Sequence, residues 1–193
     1  MRDYDIRVAL KKEKLAKYYC DGASKVVDEL DFSCTGARID VAVVNCSLHG
    51  FEIKSSVDTL GRLEGQIAGY SKVLDYLTVV TEEKHLKHVQ ELVPEWVGIY
   101  LCYSTRDKVK FKRVKRAKKN GLIEPFFLLK MLWKEELITI LEAYSIPFKK
   151  SFRIWTMCEI ISEALDKKLI SELVRSKLKA RKNWKPEIFK VDL

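Results

Sequence analysis

Two short apolar runs, Val41 to Val44 and Leu48 to Ile53, flank the turn-like Asn45-Cys46-Ser47. Both are rich in β-branched residues, so the pattern predicts two strands joined as a hairpin. Centring the hairpin on Cys46 opposes Val44 to Leu48, Ala42 to Gly50 and Asp40 to Glu52. Opposed residues share a face of the sheet. Lys54 falls on that face by the two-residue strand period. Ile39, Val41, Val43, Phe51 and Ile53 fall on the other, apolar face. The small Ala42 and Gly50 are expected to leave room for a ligand beside the acids. A slip of one residue separates Asp40 from Glu52, so the site depends on the register.

The flanking pattern predicts helices. Residues 5–31 read as helical, broken near Asp21-Gly22. A helix over 59–77 is expected to start after Asp58 as N-cap, with an apolar stripe through Leu60, Leu63, Ile67, Val73, Leu74 and Leu77. Arg62, Gln66 and Tyr70 lie on one ridge of it. Thr78 to Thr81 reads as a strand, Glu82 to Leu92 as a helix ending at Pro94, and VGIYLCYS as a strand. The turn-like Ser104 to Asp107 leads into KVKFKRVKRAKK, where Lys108, Lys110 and Lys112 alternate with Val109 and Phe111. This reads as an edge hairpin that ends the sheet. Lys118-Lys119-Asn120-Gly121 marks a boundary. Beyond it the chain reads as helices over Pro125 to Tyr144, Ile154 to Leu165 and Ile170 to Lys182, with Trp133 and Trp155 assigned to core packing.

Chemistry enters with the acids. Two carboxylates on one strand face repel unless a cation neutralises them. Hard oxygen donors suit Mg2+ or Mn2+. Lys54 beside them would hold an attacking water or a phosphate by charge. The competing reading is a solvated strand face with an ordinary Glu-Lys pair. His85 and His88 stand at i, i+3 without an acidic or thiol partner, as on an ordinary helix surface.

Asp40, Glu52-Ile53-Lys54 and then Gln66 and Tyr70 resemble the PD-(D/E)XK nuclease superfamily. Asp40 matches its first acid, Glu52 its second and Lys54 its lysine, while Gln66 and Tyr70 match the Q-x-x-x-Y element of its exonuclease-like branch. Ile39 stands where the motif has Pro. GARIDVAVVN, HGFEIKSSVDTLGRL and QIAGYSKVLD are similar to a bacterial group of PD-(D/E)XK-like proteins of unsettled role. The resemblance covers roughly residues 20–115. It implies a restriction-endonuclease-like mixed sheet core flanked by helices in the order α-β-β-β-α-β. It also implies a metal held by Asp40, Glu52 and the Ile53 carbonyl, with Gln66 and Tyr70 orienting the lysine or a phosphate. The superfamily's first-helix acid would map to Glu29, with Asp28 and Asp31 as neighbouring alternatives. ELITILEAYSIPFKKSFRIWTMCEIISEAL resembles a SAP-type DNA-binding helix pair.

Composition sharpens the partner expectation. Residues 1–104 carry 13 Lys/Arg against 16 Asp/Glu, and residues 105–193 carry 23 against 11, so a +12 rear half follows a −3 front half. That asymmetry suits a polyanion held by the rear half, although edge-strand lysines also serve to block aggregation. Eight of the twelve residues from Lys108 to Lys119 are basic. Arg62, Lys108, Lys110, Lys112, Arg113, Lys115 and Arg116 are therefore the expected DNA contacts. The five cysteines are widely spaced without a C-x-x-C, which argues for buried reduced thiols rather than a zinc or iron–sulfur site. No apolar run reaches a membrane span, and the charged start MRDYDIRVALKKEK does not read as a signal peptide. A cytoplasmic protein with no membrane partner is expected, and a homodimer stays open.

The sequence thus predicts an α/β nuclease core over 1–119 and a basic, SAP-like helical region over 120–193. The expected activity is Mg2+-dependent hydrolysis of DNA phosphodiesters. A catalytically silent DNA-binding or regulatory protein of the same fold is the alternative. A third reading, an interaction protein acting through its helical tail, predicts no metal binding.

Overall fold

The computed structural model of the chain describes residues 1–32, 35–106 and 108–182. Helix α1 (Asp3–Leu10) continues through a π turn (Lys11–Leu15) into α2 (Lys17–Cys20). Then come β1 (Lys25–Phe32), β2 (Ala37–Val44), β3 (Leu48–Lys54), α3 (Leu63–Ser71), β4 (Tyr76–Thr81), α4 (Glu83–Leu92), β5 (Gly98–Thr105) and β6 (Lys108–Lys115). The C-terminal part holds α5 (Pro125–Leu129), α6 (Lys134–Ala143), α7 (Ile154–Ala164) and α8 (Lys167–Ala180).

The six strands form one mixed sheet in sequence order. β1–β2, β2–β3 and β5–β6 are antiparallel, while β3–β4 and β4–β5 are parallel, joined by crossovers through α3 and α4. Helices flank the sheet. Ile6, Leu10 and Leu15 cover Val41, Val43, Phe51 and Ile53 on one side. A second apolar cluster joins Leu63, Ile67 and Leu74 to Leu128, Leu137, Met157 and Val174, so the C-terminal helices share a core with the crossover helices.

The hairpin has the expected register from Val44–Leu48 through Val43–His49 and Ala42–Gly50 to Val41–Phe51, but the expected Asp40–Glu52 pair lies beyond the end of the ladder. Other expectations need correction. Residues 25–32 are a strand paired along its length with β2, not a helix. Glu29 has φ +50°, and this left-handed residue reverses the alternation, so Val27 and Leu30 enter the same cluster. The kink thereby imitates the i, i+3 spacing of a helix. Across the ladder the alternation breaks as well: Ile39 joins Ala42 and Val44 rather than Val41 and Val43. The space beside Gly50 is not open either. A Cβ there would meet Leu74 Cδ1 at 2.5 Å and Ile39 Cγ1 at 3.0 Å.

Helix α3 is shorter than the apolar stripe suggests. Asp58 does not cap it; its carboxylate accepts from the Ser55 N–H (2.8 Å) and hydroxyl (2.6 Å) in the preceding turn. Leu74 and Leu77 are apolar because the chain from helix to strand is buried. The stretch Pro125 to Tyr144 is two helices, because α6 restarts at Lys134 with the Glu136 carboxylate accepting the Trp133 N–H at 2.7 Å. Trp133 and Trp155 are 50% and 55% exposed, so neither is core. Cys102 and Cys158 are buried as expected, but Cys20 and Cys46 are exposed, and Cys34 lies outside the described residues.

Asn120, in the segment where composition shifts, is 3% exposed. Its side-chain amide donates to the Ser71 carbonyl (2.6 Å) and the Leu74 carbonyl (2.8 Å), and its oxygen accepts the Leu122 N–H (2.9 Å). Asn120 therefore ties the start of the C-terminal region to the α3–β4 turn. Asn120→Ala leaves those buried groups unpaired and is expected to lower stability by about 2 kcal/mol, read as a lower urea midpoint with an unchanged slope.

Candidate functional site

Asp40 and Glu52 meet at the end of the β2–β3 ladder. Beyond the Val41–Phe51 pair the Ile53 N–H is taken by a side chain: Asp40 Oδ2 accepts it at 2.7 Å. Asp40 Oδ1 accepts from Arg7 Nη2 at 3.1 Å. Glu52, 2% exposed, accepts through Oε1 from Lys54 Nζ and Gln66 Nε2, both at 2.8 Å. The Tyr70 hydroxyl lies 2.7 Å from Glu52 Oε2 and 2.7 Å from the Arg38 carbonyl, two acceptors for one hydrogen. Lys54 Nζ also donates to Gln66 Oε1 at 3.0 Å. Glu52, Lys54, Gln66 and Tyr70 thus form one network, with Asp40 bonded separately to Arg7 and the Ile53 N–H. Asp40, Glu52, Lys54 and Gln66 line an open cleft of about 630 Å3 with Ile53.

Glu29 is placed differently from expectation. It lies on β1 rather than on a helix, and its carboxylate bonds Arg7 Nη1 at 3.2 Å and Arg38 Nη1 at 3.0 Å. Asp28 pairs with Lys11. The first helix instead supplies Asp3, which lines the cleft and accepts from Arg7 Nη2 at 3.0 Å. Asp3, Arg7, Arg38 and Asp58, the last expected only as a helix cap, are the charged cleft residues that the sequence reading missed. One signal was available: Asp3, Arg7 and Lys11 recur every four residues beside the apolar Ile6 and Leu10, which marks a charged stripe along a buried helix face.

Of the expected DNA contacts, Arg62 alone lines the cleft among the described residues. Lys108, Lys110, Lys112, Arg113 and Lys115 sit on β6, the far edge strand, with Arg116 just beyond it; β4 and β5 separate them from β3. Lys110 is paired with Glu13 at 2.8 Å, and Lys115 donates to the Pro94 carbonyl at 2.9 Å.

Burial first, and then the charge of Glu52, push the Asp40 carboxyl up to about 7; the Ile53 N–H and Arg7 only partly oppose this. Burial and the same glutamate raise Tyr70 too, so its phenol stays protonated. Burial works against the Arg7 charge, but Asp40, Asp3 and Glu29 outweigh it and raise its pKa. Burial pulls His49 down to about 4, so this ring, 2.9 Å from the Thr78 hydroxyl, is neutral at pH 7.

A metal fits the donor chemistry of Asp40, Glu52 and the Ile53 carbonyl. Asp40 accepts two and Glu52 three hydrogen bonds through side-chain oxygens, fewer than the roughly four that a carboxylate can take. The mutual repulsion that raises Asp40 is what a divalent cation relieves. No group of three or more His, Cys, Asp or Glu side chains among the described residues is arranged to hold a metal ion. The candidate donors are two carboxylates and one main-chain oxygen.

The family model described as bacteriophage P4 protein cII matches residues 2–190. A curated relative, "Protein cII" of Enterobacteria phage P4, is 28% identical over 181 residues, covering 94% of this chain and 68% of that protein. No solved structure matches the chain.

The raised Asp40 carboxyl makes stability depend on pH. The folded state favours its protonated form, so this contribution is complete below the ordinary value of 3.8 and is lost as pH rises through about 7. Asp40→Asn keeps an acceptor for the Ile53 N–H and removes the charge. In metal-free buffer the melting temperature of Asp40→Asn is expected to gain on wild type as pH rises from 4 to 7. A constant difference over that range would show that Arg7 already neutralises Asp40 in full.

Proposed function

The chain belongs to the bacteriophage P4 protein cII family, and we propose that it is a metal-dependent nuclease that hydrolyses DNA phosphodiester bonds. One observation carries the reading. Lys54 Nζ is held 2.8 Å from Glu52 Oε1 in the cleft where Asp40 sits, with Gln66 bonding both partners. Two acids and a lysine fixed in one cleft are suited to phosphate chemistry. The element order α-β-β-β-α-β from α1 to β4 also agrees with a restriction-endonuclease-like, PD-(D/E)XK core. The C-terminal helices α5–α8 pack on the same apolar core as α3 rather than standing apart from it.

Asp40, Glu52 and the Ile53 carbonyl would hold Mg2+ or Mn2+. When bound, the ion supplies charge stabilisation at phosphate and acidifies a water. The chain's own residues do the rest. Gln66 fixes Glu52 and Lys54 together, so the lysine keeps one rotamer in the buried cleft. The third Lys54 hydrogen is available to a water or a phosphate oxygen. Tyr70 stays protonated and holds Glu52 Oε2 against the Arg38 backbone. Arg7 steadies Asp40 from α1. Arg62, at the start of α3, and the exposed Arg38 guanidinium offer charge to a phosphate backbone at the cleft mouth. In the reaction a water oxygen bonds to phosphorus and gives a proton to solvent, the bond from phosphorus to one sugar oxygen breaks, and that oxygen takes a proton from solvent, leaving a phosphate monoester and a sugar hydroxyl.

A second reading draws on the same contacts. Arg7 and Lys54 already neutralise Asp40 and Glu52 from within the protein, which suits a catalytically silent DNA-binding protein. Incubation of the full chain with labelled linear, circular and branched DNA, with and without Mg2+, separates the two. Under the nuclease reading Lys54→Ala loses single-turnover cleavage by at least 100-fold, in keeping with loss of a transition-state contact, yet keeps DNA affinity. Asp40→Ala and Glu52→Ala abolish cleavage. Wild-type protein that binds DNA but never cuts it with Mg2+ or Mn2+ favours the silent reading.

The two basic surfaces are separable by salt. Each phosphate neutralised on duplex DNA contributes about −0.9 to the log–log salt slope. Arg38→Gln with Arg62→Gln is expected to flatten the slope if DNA lies in the cleft. Lys112→Gln with Arg113→Gln does so only if β6 also touches the backbone. A slope unchanged by either pair removes both surfaces as phosphate contacts.

A further inference from the structure

The tryptophan on α7 does not behave as a core residue. Trp155 is 55% exposed, and its indole N–H donates to Glu159 at 2.8 Å, so its polar edge is occupied while much of the side chain meets solvent. Its edge rests on Phe126, with ring centroids 4.5 Å apart at 62°. Phe126 in turn meets Phe127 at 5.5 Å and 88°. A lysine stands at each end of this row: Lys130 Nζ is 5.7 Å from the Trp155 centroid and Lys72 Nζ is 4.0 Å from the Phe127 centroid. Lys72 also lies 3.7 Å from Glu124. The row therefore joins the end of α3 to α5 and α7.

We infer that this row is a stacking platform for the unpaired bases of single-stranded DNA. An exposed tryptophan, backed by the half-buried Phe126 and Phe127 and flanked by two ammonium groups, matches what such a strand presents, flat π faces linked by phosphates. An apolar peptide would bury the Lys130 ammonium, and Lys72 with only Glu124 against it, which is unfavourable. A duplex keeps its bases stacked on each other and offers the rings only its backbone. The surrounding chain is cationic as well, with Lys149, Lys150 and Arg153 preceding Trp155 and a net +12 over 105–193. The platform also has a geometric relation to the cleft: α3 begins beside Arg62 and ends beside Lys72, ten residues or about 15 Å along a helix axis. The inference rests on the reading of the chain as a DNA-binding protein, but needs neither metal nor turnover.

The test uses the full chain in EDTA, with fluorescence anisotropy of a labelled oligothymidylate and of a labelled blunt duplex. Trp155→Ala is expected to weaken oligothymidylate binding about ten-fold, the usual loss on removing one stacking ring, with duplex binding unchanged. Trp155→Phe should keep most of the affinity. An exposed side chain is being changed, so circular dichroism and melting temperature should match wild type. Equal oligothymidylate affinity of Trp155→Ala and wild type overturns the platform alone and leaves the cleft reading standing. A dimer in sedimentation that Trp155→Ala abolishes, with DNA binding unaffected, overturns it in favour of a contact between copies of the chain. Wild-type protein that binds neither DNA overturns both this inference and the proposed substrate. Selective loss of single-strand affinity in a protein that never cleaves supports the platform and counts against the nuclease reading only.

Discussion

One buried guanidinium fixes the geometry on which the cleft depends. Arg7, 5% exposed, is held by its terminal nitrogens to Asp3 at 3.0 Å, Glu29 at 3.2 Å and Asp40 at 3.1 Å, three acids from α1, β1 and β2. An uncompensated charge cannot be buried at this depth, and breaking a buried pair by removing one partner is strongly destabilising. Apolar contacts of Ile6 and Leu10 bring α1 onto the sheet, but they tolerate sliding. The guanidinium does not, because its donors point in fixed directions. Arg7 thereby turns a greasy contact into a registered one and sets where Asp3 and Asp40 stand relative to the cleft.

The sheet is deformed to meet this arrangement. Glu29 takes a left-handed conformation that costs a non-glycine residue of order 1 kcal/mol or more. The opposite position on β2 is Asp40, where alternation also breaks. The two irregularities share one level of the β1–β2 ladder, between the Asp28–Val41 and Leu30–Ile39 pairs. They bring Glu29 and Asp40 to the same guanidinium, and they turn Ile39 into the space that Gly50 leaves. A glycine that suggested an open ligand cavity is thus a packing device: its missing Cβ admits Ile39 and Leu74, and the cleft opens further along, at Glu52, Lys54 and Gln66.

Sequence carried the centre of the site and not its surround, for a physical reason. Asp40, Glu52, Lys54, Gln66 and Tyr70 lie on one hairpin and the next helix, so strand period and helix ridge suffice to relate them. The register from Val41–Phe51 to Val44–Leu48 followed from turn chemistry alone. Arg7 and Asp3 reach the same place only through tertiary docking of a helix more than thirty residues away in sequence, which no local period encodes. Residues 25–32 misled because a kinked strand buries i, i+3 neighbours as a helix does. Trp133 and Trp155 misled because apolarity was read as burial, whereas Trp133 lies against the Arg181 guanidinium at 4.3 Å and Trp155 faces solvent.

The two acids are neutralised from different directions, and this matters for any chemistry that the cleft performs. Glu52 is balanced from within the sheet and its crossover helix, by Lys54, Gln66 and Tyr70. Leu63 and Ile67 of α3 lie in the larger core, while Phe51 and Ile53 on either side of Glu52 pack with α1. Asp40 is balanced by α1, whose apolar contacts belong to the second, smaller cluster and whose helix passes through a π turn at Lys11–Leu15. A π turn loosens the regular hydrogen-bond ladder of a helix. Asp40 thus takes its counter-charge from a docked helix, and Glu52 takes its own from the sheet and α3. Burial and the charge of Glu52 hold the Asp40 carboxyl up to about 7 even with Arg7 beside it. The two halves of the site therefore depend on different contacts: Asp40 on the docking of α1 through Arg7, and Lys54 on hydrogen bonds within β3 and to α3.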